Sequence, residues 1–265
     1  MLLVSDFDGT LTGSAGRIPA ENLSKIRYFN ENGGRFTIST GRTKAGFHNY
    51  SNEIINAPVL LGNGGMAFDY EKGIATFVNA VSSSAVPVML RILDAFPFLG
   101  TEIYTVDDRV CVINPHEKNI RHFSGLRIEE YSVRDCLDSS FFPAVKIMLY
   151  AGEKSKEVQD FLRSIDLGEL KFIPCNGEFI EILSVEAGKG KAMYQLAAAL
   201  GVDSTRVFAV GDGSNDTDML SAAVIGFVPE SGDALAKQAG DIIVCNSDGG
   251  CVAEVIDILE RNFKI

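Results

Sequence analysis

Positive charge is scarce in this 265-residue chain: 24 Lys and Arg stand against 35 Asp and Glu, a net charge of −11 with the three histidines neutral. That excess repels polyphosphate backbones and anionic bilayers at long range, and no local basic cluster offsets it, so nucleic acid and membrane surfaces are poor candidates for partners. Cysteine pairs are missing too. Cys111, Cys136, Cys175, Cys245 and Cys251 are odd in number, far apart and without a C-x-x-C step. That pattern argues against both a disulfide scaffold and a zinc cluster, and points to a reducing, cytoplasmic setting with the thiols as core filler. His48, His116 and His122 show no metal-ligand spacing. No run approaches the ~18 apolar residues of a membrane span, and Met1–Val4 is too short for a signal-peptide core before Asp6 interrupts it. With 26 Gly and 8 Pro the chain is ordinary in its turn formers, which excludes collagen-like and low-complexity readings. Nothing in it suggests an obligate protein partner.

What is there is rhythm. Leu2-Leu3-Val4 is a continuous apolar run emptying into Ser5-Asp6-Phe7-Asp8-Gly9, as a buried parallel strand does at its carboxyl end. A helix is predicted from Pro19 with Leu23, Ile26 and Phe29 at helical spacing, stopped by Gly33-Gly34. Phe36–Thr40 reads as a second strand, 43–56 as a helix and Val59–Leu61 as a third strand, a β-α-β-α-β order that implies a parallel sheet. Met66–Tyr70 and Ile74–Val78 read as a hairpin. From about Ser82 the pattern changes to helix 83–96, strands 101–106 and 109–113, helix 116–123, strand 127–131, a short helix near 134–138, strand 144–150, helix 154–165 and strands 170–174 and 178–183. Mixed hairpins and helices of that kind suggest a largely antiparallel sheet with helices on one face. The parallel rhythm returns after Glu186 with helices 190–200, 214–223, 232–239 and 250–262 and strands 207–210, 224–228 and 241–244. The expected architecture is therefore an α/β, Rossmann-like three-layer core formed by 1–80 and 186–265, carrying an inserted α+β domain at 81–185.

Ligands collect beyond the carboxyl ends of parallel strands, so those ends carry the chemistry. The first delivers Asp6 and Asp8, two residues apart and ~7 Å between α-carbons on one side of an extended chain, where two carboxylates can divide nucleophile and acid roles. The second ends in Ser39-Thr40-Gly41-Arg42, offering a hydroxyl, an amide and a guanidinium to an oxyanion. Lys189, between Gly188 and Gly190, precedes a helix with Met193, Leu196 and Leu200 at its apolar positions, and the spacing there is not that of a P-loop. Val207–Val210 runs into Gly211-Asp212-Gly213-Ser214-Asn215-Asp216, which sets Asn215 and Asp216 in a first helical turn where both can point back toward Asp212. Each motif alone has an ordinary reading as a turn, a cap or a solvated lysine. Together Asp6, Asp8 and Asp212 make a hard, oxygen-rich set suited to Mg²⁺, and Mg²⁺, Lys189 and the Thr40 hydroxyl would offset the repulsion between a phosphate dianion and a carboxylate nucleophile.

Through Asp6-Phe7-Asp8-Gly9-Thr10, Thr40-Gly41-Arg42, Lys189-Gly190 and Gly211–Asp216, in that order, the sequence resembles the haloacid dehalogenase superfamily of aspartyl-phosphate phosphotransferases. The insert between the second and third motifs resembles the type IIB cap of Cof-type sugar-phosphate phosphatases. The resemblance implies Asp6 as nucleophile, Asp8 as acid and then base, and Thr40 and Lys189 as phosphoryl ligands. It also implies Mg²⁺ held by Asp6, the Asp8 backbone carbonyl and Asp212, with Asn215 and Asp216 in support. Gly41, Arg42, Asn63 and Asn215 are expected near the bound phosphate or substrate, Asn63 having an equal reading as a turn residue. In the insert, Lys146 lies opposite the apolar face of its strand and reads as solvated.

The expected activity is Mg²⁺-dependent hydrolysis of a small phosphorylated metabolite, a sugar phosphate first among them. A phosphomutase on the same scaffold remains open, as does a phosphoryl-receiving signalling module. The latter places its acceptor on a later strand and has no large insert.

Overall fold

The computed structural model describes residues 1–117, 127–130 and 141–263. The chain divides into two compact units, the first comprising Met1–Arg42, Phe47–Phe77 and Gly188–Ile265, the second Thr43–Gly46 and Val78–Ala187. In chain order the helices and strands are β1 (Leu2–Ser5), α1 (Ala20–Glu31), β2 (Arg35–Ile38), β3 (Val59–Leu61), β4 (Met66–Asp69), β5 (Ile74–Val78), α2 (Val86–Ala95), β6 (Gly100–Thr105), β7 (Arg109–Ile113), β8 (Arg127–Glu130) and β9 (Ala144–Tyr150). They continue as α3 (Ser155–Ser164), β10 (Leu170–Cys175), β11 (Phe179–Ser184), α4 (Lys189–Ala199), β12 (Val207–Val210), α5 (Thr217–Ala222), β13 (Gly226–Pro229), α6 (Ala234–Ala239), β14 (Ile242–Val244) and α7 (Cys251–Phe263).

In the first unit five strands form a parallel sheet in the order β14-β13-β12-β1-β2. The apolar β1 sits centrally because it can be buried on both faces. Leu2 and Val4, with Val207 and Ala209, pack against Ala192, Met193 and Leu196 of α4 and Met219 of α5. On the opposite side Phe208 meets Phe263 of α7 edge to face, ring centroids 4.8 Å apart. Each such fully buried large side chain contributes about 1.5–3 kcal/mol by leaving water. Asn22 of α1 donates to the Leu11 carbonyl and accepts from the Ala253 amide, which ties α1 to the first turn of α7. Helices on both faces of the sheet make the three layers.

Two expectations for this unit change. The helix expected over 43–56 does not form, and 43–58 runs as irregular chain with turns at 44–46 and 52–54. Gly46, Asn49, Ser51 and Asn52 are poor helix formers that favour competing local hydrogen bonds. The third strand leaves the parallel sheet. β3 meets Ser39, just past the end of β2, through a parallel bridge to Leu60, and pairs antiparallel with β4 in a separate β3-β4-β5 sheet. Positive φ at Gly62 (58°), Asn63 (52°) and Gly64 (85°) turns the chain straight back, where a parallel crossover would need a dozen residues. Gly64 is obligatory for a second reason: a Cβ there would sit 2.3 Å from the Gly188 carbonyl, immediately before α4.

In the second unit six strands run β10-β11-β9-β6-β7-β8, antiparallel except for the parallel β7–β8 pair. One face carries Ile103, Ile147, Leu149, Ile180 and Ile182 against Met89 and Ile92 of α2 and Val158 and Leu162 of α3. The other groups Tyr104, Val110, Val112, Met148 and Phe179. Lys146 on that face is not solvated. It is 5% exposed, pairs with Glu181 at 2.7 Å and lies over the Tyr104 ring, because the neighbouring strand supplies a carboxylate and the apolar cluster takes the lysine stem. Lys44 pairs with Asp108 at 2.5 Å within the same unit. Cys111 is disulfide-bonded, a pairing that spacing along the chain does not reveal, whereas Cys175, Cys245 and Cys251 are free thiols. The short helix near 134–138, most of helix 116–123, His122 and Cys136 lie outside the described residues. Among those residues no helix is long and apolar enough to cross a membrane.

Candidate active site

The register of the parallel sheet decides what meets at its carboxyl edge. Ser5 aligns with Val210 on one side and Ile38 on the other, so Asp6, Gly211 and Ser39 emerge level. The Asp6 amide still bonds the Val210 carbonyl at 2.8 Å, which fixes the backbone from which its carboxylate projects.

Lys189, at the start of α4 and with its side chain fully buried, donates to Asp6 Oδ1 at 2.6 Å and to Asp216 Oδ1 at 2.5 Å. The other oxygen of Asp216 accepts from the backbone amides of Asp212 (3.1 Å) and Gly213 (2.9 Å), so this residue braces the turn that carries Asp212. Asp212 in turn accepts from Thr10 Oγ1 at 2.5 Å. Gly9, at φ +85°, makes room for that contact, since a Cβ there would lie 2.5 Å from Asp212 Oδ2.

Asp6, Asp212 and Asp216 each present a carboxylate oxygen within 4.8 Å of the others. Three carboxylates face one ammonium, and burial shows in the titration of Asp6 and Asp212. Desolvation pushes the Asp6 carboxyl up to about 7 against the pull of Lys189, with Asp216 and Asp212 adding to the rise. Burial likewise raises Asp212, opposed by the Thr10 hydroxyl. For Lys189 burial acts downward, but Asp216 and Asp6 outweigh it and the ammonium is held charged. A hard divalent cation would balance the remaining two negative charges, and the all-oxygen donor set fits Mg²⁺.

Thr40, buried, accepts the Arg42 amide on its hydroxyl (3.2 Å) and the Asn63 amide on its carbonyl (3.0 Å). Asn63 occupies the β3–β4 turn with positive φ, a conformation asparagine tolerates, and its Oδ1 accepts from Asn215 Nδ2 at 3.3 Å. It is thus both a turn residue and a neighbour of the Asp212 loop. Gly41 adjoins it, a Cβ there falling 3.3 Å from the Asn63 amide group. Asp8 and Arg42 form a pair of their own: Arg42 Nε and Nη2 donate to the two oxygens of Asp8 at 2.9 and 2.7 Å.

The fold therefore joins Asp6, Lys189, Asp212 and Asp216 in one cluster, links Thr40, Gly41, Asn63 and Asn215 in a second and couples Asp8 to Arg42. Sequence reasoning missed the contribution of Thr10, although the residue closes the D-x-D-G-T string that drew attention to Asp6.

The haloacid dehalogenase-like hydrolase profile matches residues 3–256. A 5-amino-6-(5-phospho-D-ribitylamino)uracil phosphatase of Bacillus subtilis (strain 168) is 24% identical, covering 96% of each chain. A phosphoglycolate phosphatase of Methanopyrus kandleri is also 24% identical, over 95% of this chain and 94% of its own. A solved subclass IIB sugar phosphatase of the same superfamily superposes with a TM-score of 0.82 at 20% identity, covering 97% of this chain and 98% of its own. With the match spanning nearly the whole length, the chain belongs to the haloacid dehalogenase-like hydrolase family.

Proposed function

We propose that the protein is a Mg²⁺-dependent phosphatase of small phosphorylated metabolites, with a sugar phosphate the preferred class, working through an aspartyl phosphate on Asp6. The observation that carries this reading is the buried Asp6–Lys189–Asp216 arrangement beside Asp212, which holds a carboxylate nucleophile in one orientation within a site built to receive a cation and a phosphate. Asp6, Asp212 and the Asp8 backbone carbonyl would hold the metal, with Asp216 and Asn215 supporting them, and the cation supplies charge neutralisation for the phosphoryl group. The Lys189 bond at Oδ1 fixes the plane of the Asp6 carboxylate. An Asp6 oxygen attacks phosphorus while Asp8 protonates the departing oxygen. Asp8 then takes a proton from the water that cleaves the acyl phosphate, releasing inorganic phosphate and restoring Asp6. Lys189 and Thr40 face the transferring group, and Gly41 and Asn63 line its approach. Relatives that act on a phosphoribityl compound and on phosphoglycolate support the phosphate-ester class.

Chelation is expected to abolish turnover and added Mg²⁺ to restore it, while Ca²⁺, with its looser and longer coordination, inhibits. Mg²⁺ should also raise the melting temperature by binding only the folded state, and Asp212→Ala should shrink that rise. Full activity in metal-stripped protein would overturn the metal assignment. Residues 81–185 are proposed to recognise the leaving group. A hydrolysis screen over hexose phosphates, phosphoglycolate, nucleotides and pyridoxal phosphate tests both points. Hexose phosphates should rank first, and substitutions in the second unit should reorder the ranking while leaving p-nitrophenyl phosphate turnover intact. A flat ranking would count against the substrate class, and a ranking that never moves would count against the role of the insert.

A further inference from the structure

The T-G-R text suggests that Arg42 serves an incoming phosphate. The structure gives the guanidinium another partner. Its Nε and Nη2 grip both oxygens of Asp8, at 2.9 and 2.7 Å. Behind it lies the ring of Phe7, 5.1 Å from the guanidinium carbon to the centroid, and Phe7 is itself buried against Phe47 with ring centroids 5.2 Å apart. Nη1 reaches Asn49 Oδ1 at 3.5 Å. The arginine is thus seated on an aromatic face and aimed at a carboxylate, the arrangement in which a planar fork selects geometry as well as charge.

The carboxylate it holds is far more exposed than those of Asp6 and Asp216. The Asp8 side chain is 57% exposed, and Arg42 is the only partner its oxygens have among the described residues. A bridge that open to solvent adds little to folding stability, so its value lies in direction. The fork occupies one lone pair on each oxygen and leaves the others to face a substrate.

We propose that Arg42 is a positioning residue that holds the Asp8 carboxyl group in the orientation required for proton transfer to the leaving oxygen. The inference rests on the acid–base role proposed for Asp8. In the step concerned, the P–O bond to the leaving group breaks as the Asp6 O–P bond forms, and the proton passes from the Asp8 carboxyl to the departing oxygen. Without the fork Asp8 stays in place but samples several rotamers, and misplacement of the order of 1 Å at a reacting group costs up to ~10²-fold in rate.

The test compares kcat/KM for glucose 6-phosphate, phenyl phosphate and p-nitrophenyl phosphate in the Mg²⁺-loaded protein. This quantity reports the first chemical step, and protonation is needed most for glucose 6-phosphate and least for p-nitrophenyl phosphate. Arg42→Ala should lower kcat/KM about 10- to 100-fold on glucose 6-phosphate and less than about threefold on p-nitrophenyl phosphate. Competitive inhibition by inorganic phosphate should stay within about threefold of wild type, and Arg42→Lys, which keeps the charge but loses the fork, should fall between. Melting curves identify a variant that has failed to fold, in which case Arg42→Lys carries the test. Equal losses on all three substrates, together with weakened phosphate inhibition, would make Arg42 a phosphate ligand and overturn the proposal. Asp8→Asn separates the two readings. A loss in Asp8→Asn that ignores the leaving group would overturn the role of Asp8 and the proposal with it. A leaving-group-dependent loss in Asp8→Asn but not in either Arg42 variant would overturn the Arg42 assignment alone.

Discussion

Replacement of Asp6 by asparagine is expected to lower kcat by at least ~10³-fold, about 4 kcal/mol of transition-state stabilisation, in a protein that remains folded. The amide is nearly isosteric with the carboxyl group, keeps an oxygen for Lys189 and cannot act as the nucleophile. The substitution should also leave a stability signature. Burial raises the Asp6 carboxyl from 3.8 to about 7, so its ionised form is disfavoured in the folded, metal-free state. A raised carboxyl makes its full contribution at low pH and loses it as pH climbs from about 4 through about 7. In chelator at pH 7 to 8, Asp6→Asn should therefore melt at or above the wild-type temperature, with the difference closing as pH falls toward 4. Calorimetry and a single-turnover assay read the two effects independently. More than a tenth of wild-type turnover in a folded Asp6→Asn protein would remove Asp6 from the nucleophilic role.

Asp8→Asn is expected to separate the two halves of the reaction. A sugar alkoxide is a poor leaving group, and without an acid the first step should slow by ~10²–10⁴-fold with no phosphoenzyme accumulating. Nitrophenolate leaves without protonation, so with p-nitrophenyl phosphate the first step survives and the second, which needs a base, becomes limiting. A burst of nitrophenol, with a trappable phosphoryl group on Asp6, is the expected result in rapid-quench experiments. Equal slowing on both substrates with no burst would show that Asp8 orients other groups and contributes chiefly through its backbone.

How far the site could be read from the sequence depended on whether a residue's partner was set by backbone register or by side-chain choice. Strand ends are a register property. Once β1 and β12 are recognised as continuous apolar runs, Asp6 and Asp212 have to emerge on one edge, and the helix start after Gly188 brings Lys189 to the same place. Arg42 is a side-chain matter: spacing puts a guanidinium at the edge but does not say which of several anions it will take, and in the fold it takes Asp8. The Thr10–Asp212 bond spans 202 positions, and no local pattern announces it. Lys146 looked like a surface lysine because its carboxylate partner sits on a different strand, 35 residues on. The segment 43–56 misled in the opposite direction, since alternation with flanking strands suggested a helix that its Gly, Asn and Ser content does not support.

The order β14-β13-β12-β1-β2 also has a temporal meaning. β1 pairs with β12, yet Leu2 meets Val207, about 200 positions further along the chain. Until β12 and the turn after it have been made, one edge of β1 has no strand to bond, and Asp6 lacks Asp212 and Asp216. The strands of the second unit, by contrast, are consecutive in the chain and complete by Ser184. Assembly of the reactive centre thus waits until residues 207–216 have been made, and a chain stopped before them carries the nucleophile without two of the carboxylates proposed to work with it.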